Sequence, residues 1–164
     1  MSVNVREAVL EDAAAIAAIY RFYVLSSTST MELEPPDGVE MGRRMVEVRQ
    51  RGLPFVVAEE EGEVVGYGYA TAFRPRAGYR FTVEDSIYLR ADCAGRGIGR
   101  RLLEAVMQSC RGAGCRQMVA VIGGENLSSV AMHRALGFSQ AGLLRSAGWK
   151  FEQPQDITIL QCEL

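Results

Sequence analysis

The chain has 164 residues, of which 48% are hydrophobic and 23% are charged, as is ordinary for a globular protein. This length suits one domain with a single substantial core better than two, so we expect residues 1–164 to form one domain. The formal net charge is −2. Such a charge balance produces no overall electrostatic attraction for nucleic acid or for an anionic membrane, so we expect neither as a partner. Any anion that binds must be held by a local cluster.

The cysteines and the single histidine argue against a metal site. Cys93, Cys110, Cys115 and Cys162 form no CxxC pair, and His133 alone excludes a Cys/His zinc site of usual spacing. The N-terminal segment meets acidic residues before any long apolar run, so no signal peptide is predicted. No stretch reaches the roughly 20 apolar residues that a membrane span needs. The sequence therefore predicts a soluble cytoplasmic protein with free thiols and no metal.

The first half of the chain predicts two helices and four strands. A short strand at about residues 3–8 precedes a helix with Glu11 and Asp12 in its first turn, where carboxylates suit the helix dipole. The segment SSTSTMELEPPDG ends that helix, because its Ser/Thr crowding and two prolines break the pattern. A second helix is predicted over about 39–51, with Gly52 as its stop. Strands are predicted over 54–59, 63–73 and 80–90, the first two as a hairpin around EEEGE.

The second half alternates helices and strands. Residues 97–111 are amphipathic and closed by Gly112, and residues 127–136 form a shorter helix stopped by Gly137. Strands are predicted over 117–122, 141–146 and 156–163. The fold class expected is therefore mixed α/β, with a mixed central sheet of about seven strands and about four helices on its two faces.

A glycine-rich turn before the third helix is the most informative local pattern. Gly97 and Gly99, preceded by Gly95, let the backbone approach a ligand closely, and the amides at the helix start point toward an anion. The densest basic cluster of the chain lies at the same place and consists of Arg96, Arg100 and Arg101. A pyrophosphate group is the expected ligand of this turn. The pattern is neither a P-loop nor a dinucleotide fingerprint, and a plain tight turn with solvated arginines stays open as the alternative.

Two segments carry a resemblance to a known family. RADCAGRGIGRRLLEAV resembles the acyl-CoA-binding signature of the GNAT acetyltransferase superfamily, although Ala94 replaces its first polar residue. GENLSSVAMHRALGF resembles the Asn-containing helix of that superfamily. The resemblance implies a GNAT-type fold and acetyl-CoA as co-substrate. The cofactor-binding positions that it implies are Ile87, Tyr88, Leu89, Arg96, Gly97, Ile98, Gly99, Arg100, Asn126 and Ser129.

Other segments resemble one subgroup, the phosphinothricin and methionine sulfoximine (or methionine sulfone) acetyltransferases. These segments include VLSSTSTMELEPP, FRPRAGYRFTVEDSIYLR and LRSAGWKF. The resemblance implies acetylation of the α-amino group of a small amino-acid-like substrate by a homodimer. It also implies that Arg74 and Arg76 recognise the acidic group of the substrate, with Arg80 nearby, since guanidinium groups bind carboxylates in a bidentate way. Glu32 and Glu34 either contact the substrate ammonium or are solvated loop charges.

Two residues are the candidate catalytic groups. Strand alternation places Glu84 with Ser86 and Tyr88 on one face, and Asp85 with Ile87 on the other. We predict Glu84 as general base, with Asp85 as its fallback, because an ammonium must lose a proton before it attacks. An ion-paired or exposed strand carboxylate is the alternative. The resemblance places His133 beside the coenzyme A sulfur, which suggests a proton donor to the thiolate.

The match fails at WKFEQPQD, where relatives commonly carry a glycine, a basic residue and a tryptophan at the positions of Glu152, Gln153 and Pro154. Trp149 is interpreted as a core residue, with a pocket wall as the alternative.

Cys93 has no neighbouring base, so we expect direct attack by the amine and no acyl-enzyme. Two alternatives stay open, namely a GNAT enzyme for another amine such as a protein N-terminus or polyamine, and a non-catalytic acyl-CoA sensor.

Overall fold

The computed structural model describes residues 2–164. Within these residues there are four α-helices, α1 (Ala13–Ser26), α2 (Gly38–Gln50), α3 (Ile98–Gly112) and α4 (Leu127–Ala135). The same residues contain seven strands, β1 (Asn4–Glu7), β2 (Phe55–Glu60), β3 (Glu63–Ala72), β4 (Thr82–Leu89), β5 (Gln117–Gly123), β6 (Ser139–Lys150) and β7 (Gln153–Glu163). The strands form one sheet in the order β1-β2-β3-β4-β5-β7-β6. The predicted mixed α/β fold is confirmed.

The sheet is covered on both faces. The amphipathic face of α3, with Leu102, Leu103 and Val106 fully buried, packs on one face together with α4. On the other face α1 and α2 bury Ile16 and Met45 against a cluster that includes the aromatic rings of β2, β3 and β4. The central strands are therefore covered on both sides, whereas most of β6 is exposed, and gaps between the central strands would give access to the middle of the sheet.

One such gap lies between β4 and β5. This is the only parallel pair of the sheet that the structure describes, and its register ends at Asp85 and Ala120. Beyond that point β4 continues to Leu89 and β5 to Gly123 without pairing to each other. The backbone of β4 from Ser86 onward thus has no strand on its β5 side.

The β6–β7 hairpin is longer than predicted. The sequence predicts strands over 141–146 and 156–163, whereas β6 and β7 extend to a two-residue turn at Phe151 and Glu152. Pro154 lies opposite Trp149 in the part of β7 that pairs with β6 alone, so its missing N–H removes no bond to β5. Trp149 is 66% exposed, so the interpretation as a core residue is wrong.

The two turn residues of this hairpin have left-handed backbone conformations. Phe151 has φ 55° and Glu152 has φ 58°, although neither is glycine. The β2–β3 hairpin has an equivalent two-residue turn, but there Gly62 occupies the second position with φ 83°. A non-glycine residue in the left-handed region costs roughly 1 kcal/mol, so the β6–β7 turn is the more strained of the two.

We expect Glu152→Gly to raise the free energy of unfolding by about 1 kcal/mol, because it removes the left-handed penalty of a side chain. Urea unfolding followed by circular dichroism measures this change. Gly62→Ala is the matched control, and we expect it to lower stability by a similar amount. A less stable Glu152→Gly protein would contradict the prediction.

Candidate active site

A groove of about 530 Å³ occupies the gap between β4 and β5. Its walls come from both strands, from the starts of α3 and α4, and from the segment that joins α1 to α2 (residues 27–37, here the α1–α2 segment). The groove therefore runs from the first turn of α3 into the middle of the sheet. It brings together most of the positions that the sequence assigns to cofactor binding, namely Ile87, Tyr88, Leu89, Gly97, Gly99, Arg100, Asn126 and Ser129.

The glycine turn fits an anion. Gly97 is the residue before α3 and has φ 78°, and a Cβ built there would meet no atom within 4 Å. The first helical hydrogen bond from this turn joins the amide of Arg101 to the carbonyl of Gly97. The amides of Ile98, Gly99 and Arg100 precede that bond, so they have no helical acceptor and are available to a bound group.

The arginines near this turn have different surroundings. Arg100 lines the groove, and its Nε donates to Glu104 at 3.0 Å. Arg96 instead forms an ion pair with Glu60, with 3.0 Å between Nη1 and Oε2, and does not line the groove. The side chain of Ile98 is buried in the core. Ile98 therefore has only its backbone groups to offer to a ligand, whereas the exposed guanidinium of Arg96 is already paired with Glu60.

His133 lies at the floor of the groove with both ring nitrogens engaged. Its Nε2 is 2.9 Å from Asp85 Oδ2, and its Nδ1 is 2.7 Å from the carbonyl oxygen of Ser129. Both side chains of the pair are nearly inaccessible. Burial alone would lower the pKa of His133, but the hydrogen bond and charge of Asp85, with the Ser129 carbonyl, raise it above its usual value.

Glu84 faces away from His133. Because Asp85 reaches His133 and Val83 lies in the α3-side core, Glu84 points to the α1–α2 side, as Tyr88 does. Glu84 and the Asp85–His133 pair therefore lie on opposite faces of β4, because neighbouring strand residues point to opposite faces. Burial and the charge of Asp85 raise the pKa of Glu84, while the charge of Arg74 lowers it. The net shift is upward.

The predicted acceptor residues occupy two places. Arg74 and Arg76 lie in the exposed segment between β3 and β4, and within residues 2–164 neither forms an ion pair. Arg80 lies in the same segment with its guanidinium 4.4 Å from the ring centroid of Phe81. Glu32, in the α1–α2 segment, is already held by another side chain.

Arg44 is the residue that holds Glu32, and sequence reasoning missed it. Its Nη2 donates to Glu32 Oε1 at 2.7 Å and its Nη1 to Oε2 at 3.1 Å. Burial would raise the pKa of Glu32, but the Arg44 guanidinium and the Tyr20 hydroxyl lower it, so the carboxylate is ionised. A contact between Glu32 and a substrate ammonium thus competes with an internal partner. Glu34 is exposed.

A buried lysine fixes the α1–α2 segment to the β6–β7 hairpin. Lys150 is 2% exposed, and its Nζ donates to the carbonyl of Thr30 at 2.8 Å and to that of Tyr23 at 3.4 Å. Burial lowers its pKa. Close packing supports the same contact, since a Cβ at Gly148 would lie 2.5 Å from Met31 Sδ. The hairpin therefore packs behind the α1–α2 segment, which lines the groove through Ser27, Thr28 and Ser29, and no sequence pattern signalled the pairing.

Among residues 2–164 no three His, Cys, Asp or Glu side chains are grouped so as to hold a metal ion. The same residues contain no helix whose length and apolarity would let it span a bilayer.

The fold and this groove are those of an acetyltransferase. Residues 14–138 match the acetyltransferase (GNAT) family, and the chain belongs to that family. The resemblance noted from the sequence is thereby confirmed.

Three members of this family are similar to the chain over most of its length. A phosphinothricin N-acetyltransferase from Alcaligenes faecalis is 45% identical over 152 residues, which cover 92% of this chain and 77% of that protein. An L-methionine sulfoximine/L-methionine sulfone acetyltransferase from Pseudomonas paraeruginosa is 36% identical over 165 residues, covering 100% and 96%. The crystal structure of a GNAT superfamily phosphinothricin acetyltransferase from Sinorhizobium meliloti, in complex with acetyl-CoA, superposes with a TM-score of 0.97 at 46% identity, covering 100% and 89%.

We expect Gly97→Ala to raise the dissociation constant for acetyl-CoA about tenfold, because a strained or shifted turn weakens a hydrogen bond to a charged group worth about 1.5 kcal/mol. Titration calorimetry measures this constant. Gly114→Ala is the matched control, since Gly114 also has a positive φ (85°) and open space around its Cβ, but lies beyond the other end of α3. The control should lose similar stability and keep its affinity, and equal affinities in both variants would refute the assignment of the turn.

Proposed function

We propose that this chain transfers the acetyl group of acetyl-CoA to the α-amino group of a small amino-acid-like acceptor, of the phosphinothricin, methionine sulfoximine or methionine sulfone type. The observation that carries the proposal is the glycine turn at the start of α3, which opens into the groove between β4 and β5. The names of the similar enzymes support the acceptor class.

The described residues fit acetyl-CoA along the groove. The amides from Gly97 to Arg100 would hold its diphosphate, with added charge from Arg100, and the unpaired edge of β4 at Ile87, Tyr88 and Leu89 would bind its arm. Asn126 and Ser129 would contribute from the start of α4. When bound, acetyl-CoA supplies an activated acetyl thioester. Backbone N–H groups of the Tyr88–Leu89 region would stabilise negative charge at the reacting carbonyl.

Glu84 is the proposed general base, acting directly or through water. Burial and the charge of Asp85 raise its pKa, which makes it a stronger proton acceptor than a free glutamate. Glu84 lies one residue before the end of the β4–β5 pairing, on the side opposite the imidazole. An acceptor that enters from the α1–α2 side would therefore reach Glu84 first.

Arg74 and Arg76 are the proposed binding groups for the acidic part of the acceptor. Glu84 pairs with Thr71 of β3, and Arg74 follows shortly after the end of that strand; the charge of Arg74 lowers the pKa of Glu84. A carboxylate at Arg74 and an ammonium at Glu84 would together orient an α-amino acid. The same arginines would repel polycationic acceptors.

The homodimer and the cytoplasmic location implied by the sequence stay predictions. The dimer has one supporting feature, because β6 is an edge strand on which Leu143 and Leu144 are exposed, and a second copy would cover such side chains.

A thiol-release assay with acetyl-CoA across a panel of amines tests the function. The panel includes methionine sulfone, methionine sulfoximine and phosphinothricin, together with a polyamine and simple amines without a carboxylate. We expect turnover on the first group and little on the second. Stabilisation by acetyl-CoA without turnover on any amine would overturn the proposal in favour of a non-catalytic sensor.

We expect Glu84→Gln to lower kcat by at least about 100-fold while the dissociation constant for acetyl-CoA is unchanged, because loss of a general base affects the proton transfer and not cofactor binding. In the native enzyme kcat/KM should fall as the pH drops through the raised pKa of Glu84. Glu63→Gln is the control, since Glu63 is a strand glutamate paired with Arg90 at the surface. Unchanged turnover of Glu84→Gln would remove it as the base.

We expect Arg74→Ala to raise KM about tenfold for acceptors that bear a carboxylate and much less for simple amines, because a charged hydrogen bond contributes roughly 1.5 kcal/mol. Steady-state kinetics with both acceptor classes measure the difference. Arg74→Lys should recover part of the loss, since it keeps the charge without the bidentate geometry. An equal effect on both acceptor classes would refute the carboxylate contact.

A further inference from the structure

The Asp85–His133 pair lies where the sheet opens. Asp85 is the last residue of β4 that pairs with β5, and its side chain crosses to α4 to meet His133. Both residues line the groove although their side chains are only 2% and 4% exposed. The pair therefore forms the floor of the groove at the point where acetyl-CoA would end its passage between the strands.

The imidazole is held on three sides. Nδ1 contacts the Ser129 carbonyl one helical turn earlier, and Nε2 contacts Asp85 Oδ2. The ring of Phe138 packs edge-on against the imidazole, with 4.9 Å between the ring centroids. A carbonyl oxygen only accepts hydrogen bonds, so Nδ1 carries a proton. The state of Nε2 then depends on Asp85 alone.

Asp85 keeps one oxygen without a partner. Within residues 2–164, Asp85 Oδ1 is the one buried side-chain nitrogen or oxygen atom that lacks a hydrogen bond. Leaving such an acceptor unpaired costs roughly 1–3 kcal/mol, and well-packed apolar residues in place of a buried ion pair are often as stable. Stability therefore does not explain a carboxylate at this position, and its place in the groove suggests a part in the reaction.

No other charged group faces the ring in the part of the chain that the structure describes. Cys110 of α3 faces Asp85, but burial raises the pKa of its thiol to about 12, so it is neutral. Glu84 is adjacent in sequence and lies on the other face of β4. The groove residues of β5 carry no charge, and they are Ala120, Val121 and Ile122. Asp85 is thus the group that decides the charge of the ring.

We infer that Asp85 is a positioning residue that holds the imidazole of His133 in one orientation and in its doubly protonated form at the floor of the groove. As a statement about catalysis, this inference rests on the proposed acetyl transfer. In the doubly protonated ring, Nδ1–H donates to Ser129 and Nε2–H donates to Asp85, so the ring would act on the groove through its positive charge. A neutral ring with its proton on Nδ1 would lack that charge, so an electrostatic contribution of His133 to the departure of the thiolate depends on Asp85.

The protonation state can be read without any measurement of activity. His133 is the only histidine of the chain, so long-range ¹H–¹⁵N spectra of uniformly labelled protein contain a single native imidazole once any tag is removed. We expect both ring nitrogens to be protonated at pH 7 in the native protein. In Asp85→Asn we expect a neutral ring at pH 7 with the proton on Nδ1, because burial then acts without the opposing carboxylate. A neutral ring in the native protein at pH 7 overturns the inference without any variant.

A matched variant separates this effect from general loss of stability. Asp12 is the other buried aspartate of the described chain, and its Oδ2 pairs with Arg6 at 2.8 Å, outside the groove. Asp12→Asn should destabilise the fold and leave the His133 spectrum unchanged. A change of the imidazole state in Asp12→Asn comparable with that in Asp85→Asn would contradict a specific role for Asp85.

The stability effect of Asp85→Asn should depend on pH. The folded-state pKa of His133 is raised, so the stabilisation from the pair is fully present below the unfolded-state pKa of about 6.5 and is lost as the pH rises through the folded-state value. Urea unfolding should show a larger loss at pH 6 than at pH 9. A loss that is independent of pH would mean that the pair is not ionised in the folded state.

Kinetics then connect the pair to the reaction. Asp85→Asn should lower kcat at least tenfold with little change in the dissociation constant for acetyl-CoA, and it should alter the pH profile of kcat. If the native protein acetylates no amine, the proposed function fails while the spectroscopic result still stands. If the native protein is active and Asp85→Asn keeps both its kcat and its pH profile, the positioning role fails by itself.

Discussion

The separation of β4 from β5 is the constraint on which the rest of this structure depends. A parallel pair inside a sheet covered on both faces would ordinarily close the middle of the molecule, and here the pairing stops at Asp85 and Ala120. The opening exposes one edge of β4, admits a groove to the sheet interior, and directs that groove to the start of α3. The two faces of β4 then present different chemistry at the same level, a carboxyl with a raised pKa on one side and an imidazole pair on the other.

The fold was largely predictable because its signals are local. The spacing of apolar residues predicts α3. Glycines mark the start of this helix, because Gly97 has a left-handed conformation and lets the backbone approach a ligand closely. Strand alternation also separated Glu84 from Asp85 correctly. The sequence underpredicts the length of the β6–β7 hairpin, because Pro154 and a turn without glycine are typical of a loop. The burial of Trp149 is predicted wrongly, because hydrophobicity alone does not indicate which face of a strand is covered.

The site was less predictable because its contacts join distant parts of the chain. The contact between Asp85 and His133 spans 48 residues, and that between Lys150 and Thr30 spans 120. Neither residue type nor spacing indicates such pairs in a single sequence, since a lone histidine or a strand aspartate is compatible with many environments. Arg44 gave no signal beyond its place on an amphipathic helix. The arginines of the β3–β4 segment were found through a family resemblance, and their roles still depend on experiment.

The buried ammonium of Lys150 couples the position of the β6–β7 hairpin to that of the α1–α2 segment. The hairpin that ends the chain and the segment after α1 meet through this group and through the narrow space beside Gly148. A change in the hairpin that displaces Lys150 or fills the space beside Gly148 would therefore also shift the α1–α2 segment, which lines the groove. Variants that rebuild either segment should keep this contact, or exchange the two segments together from a single relative.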